Sequence, residues 1–254
     1  MATLMPMLAD FAIRLSGGLA AMLLVTPWRQ VPPKFFQTHS QVLMALAVLA
    51  ALDMARVGPT SAVAGAAALA ALGYVSAVAW GLGLPRVGLP ADAAAVIAAS
   101  SLLAWASMGG DPTLSALDVA GRISSALLLG STLTAMLLGH YYLTAPSMSI
   151  VPLERAVAWA VAAMGVRTLL AALGLGLYMS GRAGAQTADA SGLFLAIRWG
   201  MGVAGPILAM TLAWKTTRMR STQSATGILY IAMTLVLFGE LTALILSRRA
   251  GVLL

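Results

Sequence analysis

The chain contains no cysteine in its 254 residues. This absence excludes disulfide bonds, iron–sulfur clusters with cysteine ligands, covalently attached c-type haem and thiol catalysis. Charged residues are also scarce, at 9% of the chain, whereas 60% of the residues are hydrophobic. Because a soluble globular domain has about 25% charged residues, this composition indicates a protein that lies almost entirely within a membrane.

The few charges are mostly basic, and the formal net charge is +7. In a soluble chain such an excess would suggest binding to nucleic acid. Here the basic residues lie mostly singly, in short segments between apolar runs, as is typical of the signals that orient membrane helices. We therefore expect the chain to contact a lipid bilayer and no nucleic acid.

Eight apolar runs are each close to the roughly 20 residues that a helix needs to cross a bilayer. Proline and glycine separate most of the runs and mark helix ends. The first run lacks a basic start and a cleavage site, so we expect it to be retained. The pattern predicts an all-α, polytopic integral membrane helical bundle, a single transmembrane domain over 1–254, in a bacterial inner (plasma) membrane. The predicted spans are 7–26, 38–57, 60–83, 91–108, 119–143, 153–178, 192–214 and 225–247.

An even number of crossings puts both chain ends on one side of the membrane, called face A, opposite to face B. His39 and His140 are the only two histidines. One crossing separates the amino terminus from His39 and five separate it from His140, so both imidazoles are expected near face B. Two neutral imidazoles facing each other across a gap between helices can ligate the iron of a low-spin b-type haem. The sequence therefore suggests one haem b between these two residues.

Three basic residues are expected at the same face, where they can pair with haem propionates: Arg29, Lys34 and Arg155. The alternative interpretation needs no cofactor. Histidine is amphipathic, and at a membrane interface it can simply hydrogen-bond to the backbone or to lipid head groups.

Five charged residues fall inside the apolar runs, namely Arg14, Asp53, Arg167, Arg198 and Glu240. Each such charge costs roughly 2.5 to 3.5 kcal/mol on insertion scales, so we expect these side chains to face the bundle interior and to pair. By depth, we expect Arg14 to pair with Asp53. Glu240 is expected to pair with Arg167 or Arg198.

These five residues have a structural and a functional interpretation. A network of buried ions can serve only to fix how the helices pack. In the functional interpretation, Glu240 or Asp53 takes part in proton movement or in hydrogen-bonding the head group of a quinone. Glu240 is the better candidate, because Gly239 gives it room and Thr242 gives it a partner in the same helix. Arg122 and Arg248 are expected at face A, at the edges of the spans.

The seventh run contains Gly200, Gly202, Gly205 and Pro206 in close succession. We expect this span to be kinked in its middle and able to pack closely or to line a cavity. The connection 180–191 that precedes it is expected to contact a partner subunit.

Three functions remain open from the sequence. The first is a membrane subunit of an electron-transfer complex, with haem b and a quinone as cofactors that carry the chemistry. The second is a haem-free anchor or structural subunit of a respiratory or photosynthetic assembly. The third is a transporter or channel for a small anion, suggested by the excess of arginine but disfavoured because no inverted repeat is visible. An independent enzyme is not expected, and other subunits of a membrane complex are the expected partners.

Overall fold

A computed structural model of the protein describes residues 5–108, 112–145, 148–180 and 192–250. These residues form helices joined by short connections, and no strand occurs among them. Eight helical segments are long and apolar enough to cross a membrane. The prediction of an all-α bundle of about eight transmembrane helices is therefore confirmed. Residues 181–191, in the connection expected to contact a partner subunit, lie outside the described residues.

The helices follow the chain in the predicted order. The first four spans are α1 (Met7–Val25), α2 (Pro33–Ala55), α3 (Thr60–Gly81) and α4 (Pro85–Trp105). Spans five and six are α5 (Pro112–Thr144) and α6 (Val151–Met179). Span seven consists of α7 (Gly192–Trp199), a π-helical turn (Gly200–Ala204) and α8 (Gly205–Arg218). Span eight is α9 (Thr222–Ala250).

Proline sets the start of several helices. Pro33, Pro85 and Pro152 lie in the first turns of α2, α4 and α6. Proline fits there because its φ is already helical and a first-turn N–H has no partner within the helix. In α4 the helix also continues through Pro90, where the sequence pattern had placed a boundary. A residue other than proline at this position would donate its N–H to the backbone carbonyl oxygen of Arg86. Because Arg86 is exposed near the helix start, the helix tolerates the loss of this hydrogen bond.

The eight spans form two rings of four. In the first ring, α1 and α3 each pack against both α2 and α4. In the second ring, α5 and α8 each pack against both α6 and α9. The rings are joined by the contact between α1 and α5. Because α1 and α5 both begin at face A, the two halves repeat one arrangement in parallel rather than inverted orientation.

Glycine makes the junction between the rings close. A Cβ on Gly18 of α1 would strike the backbone of Ala126 of α5, and a Cβ on Gly130 would strike the backbone of Gly18. Small residues at such a contact let two membrane helices approach closely. As a result, α1 and α5 are the most buried of the eight spans. Large apolar side chains such as Leu52 and Leu169 are exposed on the peripheral helices, where lipid is expected.

Candidate functional site

Three charged side chains meet inside the second ring: Arg167 of α6, Arg198 of α7 and Glu240 of α9, called the Glu240 cluster here. Each of these side chains is only 1% exposed. The Nε of Arg167 donates to both carboxylate oxygens of Glu240 at 3.0 Å. The Nη1 of Arg198 lies 3.6 Å from Oε1 of Glu240. The structure thus pairs Glu240 with both arginines that the sequence offered as alternatives.

An irregular turn brings Arg198 to this position. The Nη1 of Arg198 donates to the carbonyl oxygen of Gly202 at 3.3 Å, within the π-helical turn. A Cβ on Gly202 would lie 2.7 Å from the Cα of Gly239 in α9, so only glycine allows this approach. The predicted interruption of span seven is found here, in the form of a π-helical turn, which occurs frequently at functional sites.

The Glu240 cluster has more donors than acceptors. Two guanidinium groups and one carboxylate leave positive charge in excess, because arginine stays protonated in proteins. Nη1 of Arg167 and both Nε and Nη2 of Arg198 have no hydrogen-bond partner among the described residues. A buried unpaired donor costs about 1 to 3 kcal/mol, and more when it is charged. A ligand with acceptor oxygens would supply the missing partners.

An apolar groove between α6 and α8, called the α6 groove, runs from face B toward the cluster. Its volume is about 490 Å³, within the range of roughly 300 to 1,000 Å³ that is typical of ligand pockets. Trp214 lines its end near face B, and Met164 and Gly165 line its deep end. Arg167 lies three residues beyond Met164 on the same face of α6. The deep end of the groove is therefore about one helical turn from the Glu240 cluster.

A second ionic network, the Asp10 cluster, lies near face A where the two rings meet. Asp10 accepts hydrogen bonds from Nε of Arg14 at 2.8 Å, Nη1 of Arg122 at 2.7 Å and Nη2 of Arg248 at 3.3 Å. Asp118 accepts one from Nε of Arg122 at 2.8 Å. The network ties α1, α5 and α9 together. It contains one of the five charges that the sequence singled out, Arg14.

Asp53 forms a hydrogen bond to the backbone rather than the predicted ion pair. Its Oδ2 accepts a hydrogen bond from the backbone N–H of Ala9 at 2.9 Å, satisfying a first-turn N–H of α1 that has no partner within the helix. The predicted pair of Arg14 with Asp53 is wrong, because Asp10 lies one turn before Arg14 in the same helix. The two clusters are separate, since Glu240 and Arg248 are eight residues apart in α9, or about 12 Å.

The two histidines have different surroundings, although α2 begins and α5 ends at face B. His39 is 2% exposed, and its ring packs on Phe35 with centroids 3.8 Å apart. His140 is exposed, and its ring is edge-on to Tyr230 of α9 at 6.4 Å. Within the part of the chain that the structure describes, the two imidazoles are not in ring contact.

Of the two imidazoles, His39 has the geometry of a haem ligand. Its Nδ1 donates to the carbonyl oxygen of Phe35 at 2.8 Å, and an imidazole held in this way presents Nε2 to a metal. Nε2 of His39 has no partner among the described residues. His140 shows no such bond. The three basic residues of the haem hypothesis are all exposed toward face B, and they are Arg29, Lys34 and Arg155.

Asp92, which was not predicted as a site residue, is completely buried in the first ring. Its Oδ1 lies 2.5 Å from Oγ of Ser76, within hydrogen-bond distance, and its Oδ2 accepts a hydrogen bond from Nε1 of Trp80 at 3.0 Å. Oγ of Ser40 lies 2.8 Å from Oγ of Ser76. These four residues form the Asp92 cluster. Because α4 begins earlier than predicted, Asp92 lies about two turns inside the helix rather than at its edge.

Arg248 was placed at the edge of a span for a related reason, because α9 continues to Ala250. Asp10 and Arg122 lie within the predicted spans 7–26 and 119–143, but they were not among the five charges that the sequence singled out. A signal was present in the sequence, because Asp10 and Arg14, like Asp118 and Arg122, are opposite charges four residues apart, a spacing that pairs side chains on a helix.

Within the described ranges, no group of three or more histidine, cysteine or carboxylate side chains is arranged to hold a metal ion. The Glu240 cluster with the α6 groove is therefore the candidate site, together with Nε2 of His39. No family model matches the chain, and comparisons with curated proteins and with solved structures gave no match.

Proposed function

We propose that the protein is a membrane subunit of an electron-transfer complex and that it binds a quinone at the Glu240 cluster. The observation that carries this proposal is the set of unpaired, buried guanidinium N–H groups, which lie about one helical turn along α6 from the deep end of an apolar groove. A membrane quinone matches both features, because its carbonyl oxygens accept hydrogen bonds and its isoprenoid tail is apolar. The other subunits of the complex are the proposed source or destination of the electrons.

Each residue of the cluster has a role in this proposal. Nη1 of Arg167 and the free N–H groups of Arg198 donate to the carbonyl oxygens of the head group. Their excess positive charge stabilises the electrons that arrive on the ring, because the surroundings have a low dielectric constant. Glu240 holds both guanidinium groups in place and offers an acceptor to the hydroxyl groups of the reduced head group.

The same donors could bind a small anion, which is the transport alternative. One observation favours the quinone. The α6 groove is lined mainly by apolar side chains, which can accommodate a lipid tail but offer no hydrogen-bond donors to an anion.

The test is extraction of quinone from the purified protein, followed by chromatographic quantification. Gly165→Leu fills the groove, since a Cβ on Gly165 meets nothing within 4 Å. Gly176→Leu is the matched control, because Gly176 lies in the same helix, also faces open space and does not line the groove. We expect wild type and Gly176→Leu to carry quinone. We expect Gly165→Leu and Arg198→Met to lose it by about tenfold or more, equivalent to about 1.4 kcal/mol of binding free energy.

Two results would overturn the quinone proposal. One is a wild-type protein that carries no quinone after gentle solubilisation and binds none when reconstituted with it. The other is equal quinone content in Gly165→Leu and Gly176→Leu. Anion flux into liposomes that Arg198→Met abolishes would favour the transport alternative, and a protein that carries neither quinone nor anion flux would be a structural anchor.

A b-type haem is the second candidate cofactor, and the unpaired Nε2 of His39 is the observation that favours it. In this candidate His39 and His140 would together hold the haem iron, and the haem would supply one-electron transfer. Absorption spectra of oxidised and dithionite-reduced protein test it. Haem bands that disappear in both His39→Ala and His140→Ala support the pair. Bands that persist in either variant contradict the pair, and a colourless wild type contradicts haem binding altogether.

A further inference from the structure

Asp92 differs from the other deeply buried carboxylates in having no cation beside it. Asp10 pairs with three arginines and Glu240 with two. No ion pair of Asp92 occurs among the described residues, although its side chain is completely buried. An ionised carboxylate without a partner costs several kcal/mol in the interior of a membrane protein. The neutral acid avoids this cost.

The hydrogen-bond count also favours a proton on Asp92. Oγ of Ser40 lies within hydrogen-bond distance of Ser76 Oγ and, at 2.9 Å, of the Phe36 carbonyl oxygen. If Asp92 is ionised, the Ser76 hydroxyl donates to it, and the single proton of Ser40 can fill only one of the two remaining contacts. If Asp92 is protonated, it donates to Ser76, Ser76 donates to Ser40, and Ser40 donates to the carbonyl. Every contact then has its proton.

The other ionisable groups on the helices packed around Asp92 are bonded elsewhere or lie away from it. His39 bonds to a backbone carbonyl, and Lys34 donates to Gln37. Tyr74 and Arg86 are exposed. At the face-B end of α5, His140 is exposed beside Tyr230, the ring of Tyr141 packs edge-on to Phe35, and Tyr142 donates its hydroxyl proton to the carbonyl oxygen of Ser149. The other charged groups on or next to α1, α2 and α5 belong to the face-A half of the bundle: Asp10, Arg14, Asp53, Arg56, Asp118 and Arg122.

We propose that Asp92 is a reversible proton-binding site that exchanges its proton with face B through the hydroxyl groups of Ser76 and Ser40. In the release step, Asp92 passes its proton to Ser76, Ser76 passes its own to Ser40, and Ser40 passes its own to a water molecule that enters from face B. One proton leaves, and the negative charge stays on Asp92. Ser40, the last hydroxyl group of this path, is seven residues from the start of α2 at face B, or about 10.5 Å from that helix end.

Infrared spectroscopy of the protein in lipid tests both parts of the proposal. A protonated carboxyl group gives its own carbonyl stretching band, and this band shifts in D₂O as the proton exchanges. We expect the band in wild type at neutral pH and its loss in Asp92→Asn, which keeps the hydrogen bonds because the amide donates to Ser76 and accepts from Trp80. Asp118→Asn, at a carboxylate that is 34% exposed and outside both the Asp92 and the Glu240 clusters, is the control and should keep the band.

The exchange rate tests the path. We expect the shift in D₂O to be about tenfold slower in Ser76→Ala than in wild type, the change that corresponds to about 1.4 kcal/mol in activation free energy. Ser107→Ala, a hydroxyl outside the Asp92 cluster, should leave the rate unchanged. A band that survives in Asp92→Asn, or a wild type without one, would overturn the binding site. An unchanged rate in Ser76→Ala would overturn the path. Because the Asp92 cluster lies in the first ring, these outcomes are independent of quinone binding in the second ring.

Discussion

At the scale of single residues, three buried carboxylates are stabilised in three different ways. Asp10 has three arginine partners, Glu240 has two, and Asp92 has only neutral hydrogen-bond partners. Removing one member of a buried ion pair leaves an uncompensated charge, which is far more costly than losing the pair as a whole. The three sites therefore respond differently to substitution.

Asp10→Ala is expected to destabilise the protein by about 3 to 5 kcal/mol, the usual cost of breaking a buried ion pair. The reason is that Arg14, which is 5% exposed, loses its anionic partner. Unfolding of the purified protein by SDS in mixed micelles, followed by circular dichroism, measures the change. Asp118→Ala is the control, because that carboxylate is 34% exposed and an exposed pair contributes only about 0 to 1 kcal/mol. Equal effects of the two substitutions would contradict this assignment.

The sequence identified only some of these residues, for a physical reason. Arg14, Arg167, Arg198 and Glu240 stand out because each interrupts a long apolar run, and burial is the only way to avoid contact with lipid. Asp92 stands near the start of a run, where average hydropathy does not separate a buried side chain from one at the interface. The position at which the helix begins decides between these two possibilities. Pro90 indicated a start just before Asp92, whereas α4 begins at Pro85.

At the scale of elements, span seven shows how contacts between helices determine the form of an interruption that the sequence predicts. Its glycines predicted an interruption, and the structure has one at Gly200–Ala204. The π-helical conformation of this interruption could not be predicted from the sequence of span seven alone. It depends on Gly202 meeting Gly239, which is 37 residues later and in another helix. The two glycines together set the position of Arg198 against Glu240.

Gly202→Ala is expected to destabilise the protein by about 1 to 3 kcal/mol, as overpacking typically does. The new Cβ would lie 2.7 Å from the Cα of Gly239 and 2.9 Å from Nη1 of Arg198, so span seven must move away from α9. Gly200→Ala, in the same turn, is the matched control, because its Cβ meets nothing within 4 Å. There the change should be neutral or stabilising by up to about 1 kcal/mol. The same SDS unfolding measurement compares them, and a reversed order would contradict the packing argument.

At the scale of the whole molecule, the two rings meet through corresponding positions. Asp10 pairs with Arg122, and Gly18 contacts Gly130, and each pair is 112 residues apart. Contacts between corresponding positions indicate an approximate two-fold axis along the membrane normal. The amino-acid sequences of the two halves do not reveal the repeat, because the halves share the order and packing of their helices rather than their residues. Besides Asp10, which lies where the rings meet, each ring holds a buried carboxylate, Asp92 in the first and Glu240 in the second.

The parallel repeat predicts that the two rings behave as separate units. When residues 1–108 and 109–254 are produced as two chains in the same cells, we expect them to copurify in detergent through the contact of α1 with α5. Gly130→Leu in the larger chain should abolish copurification, because its side chain would strike the backbone of Gly18. Gly176→Leu, which faces open space, should not. Both variant chains must accumulate to similar levels for the comparison. Copurification that survives Gly130→Leu would show that the rings are held together elsewhere, through the Asp10 cluster or through α4 and α5, and not by the approach of the two glycines.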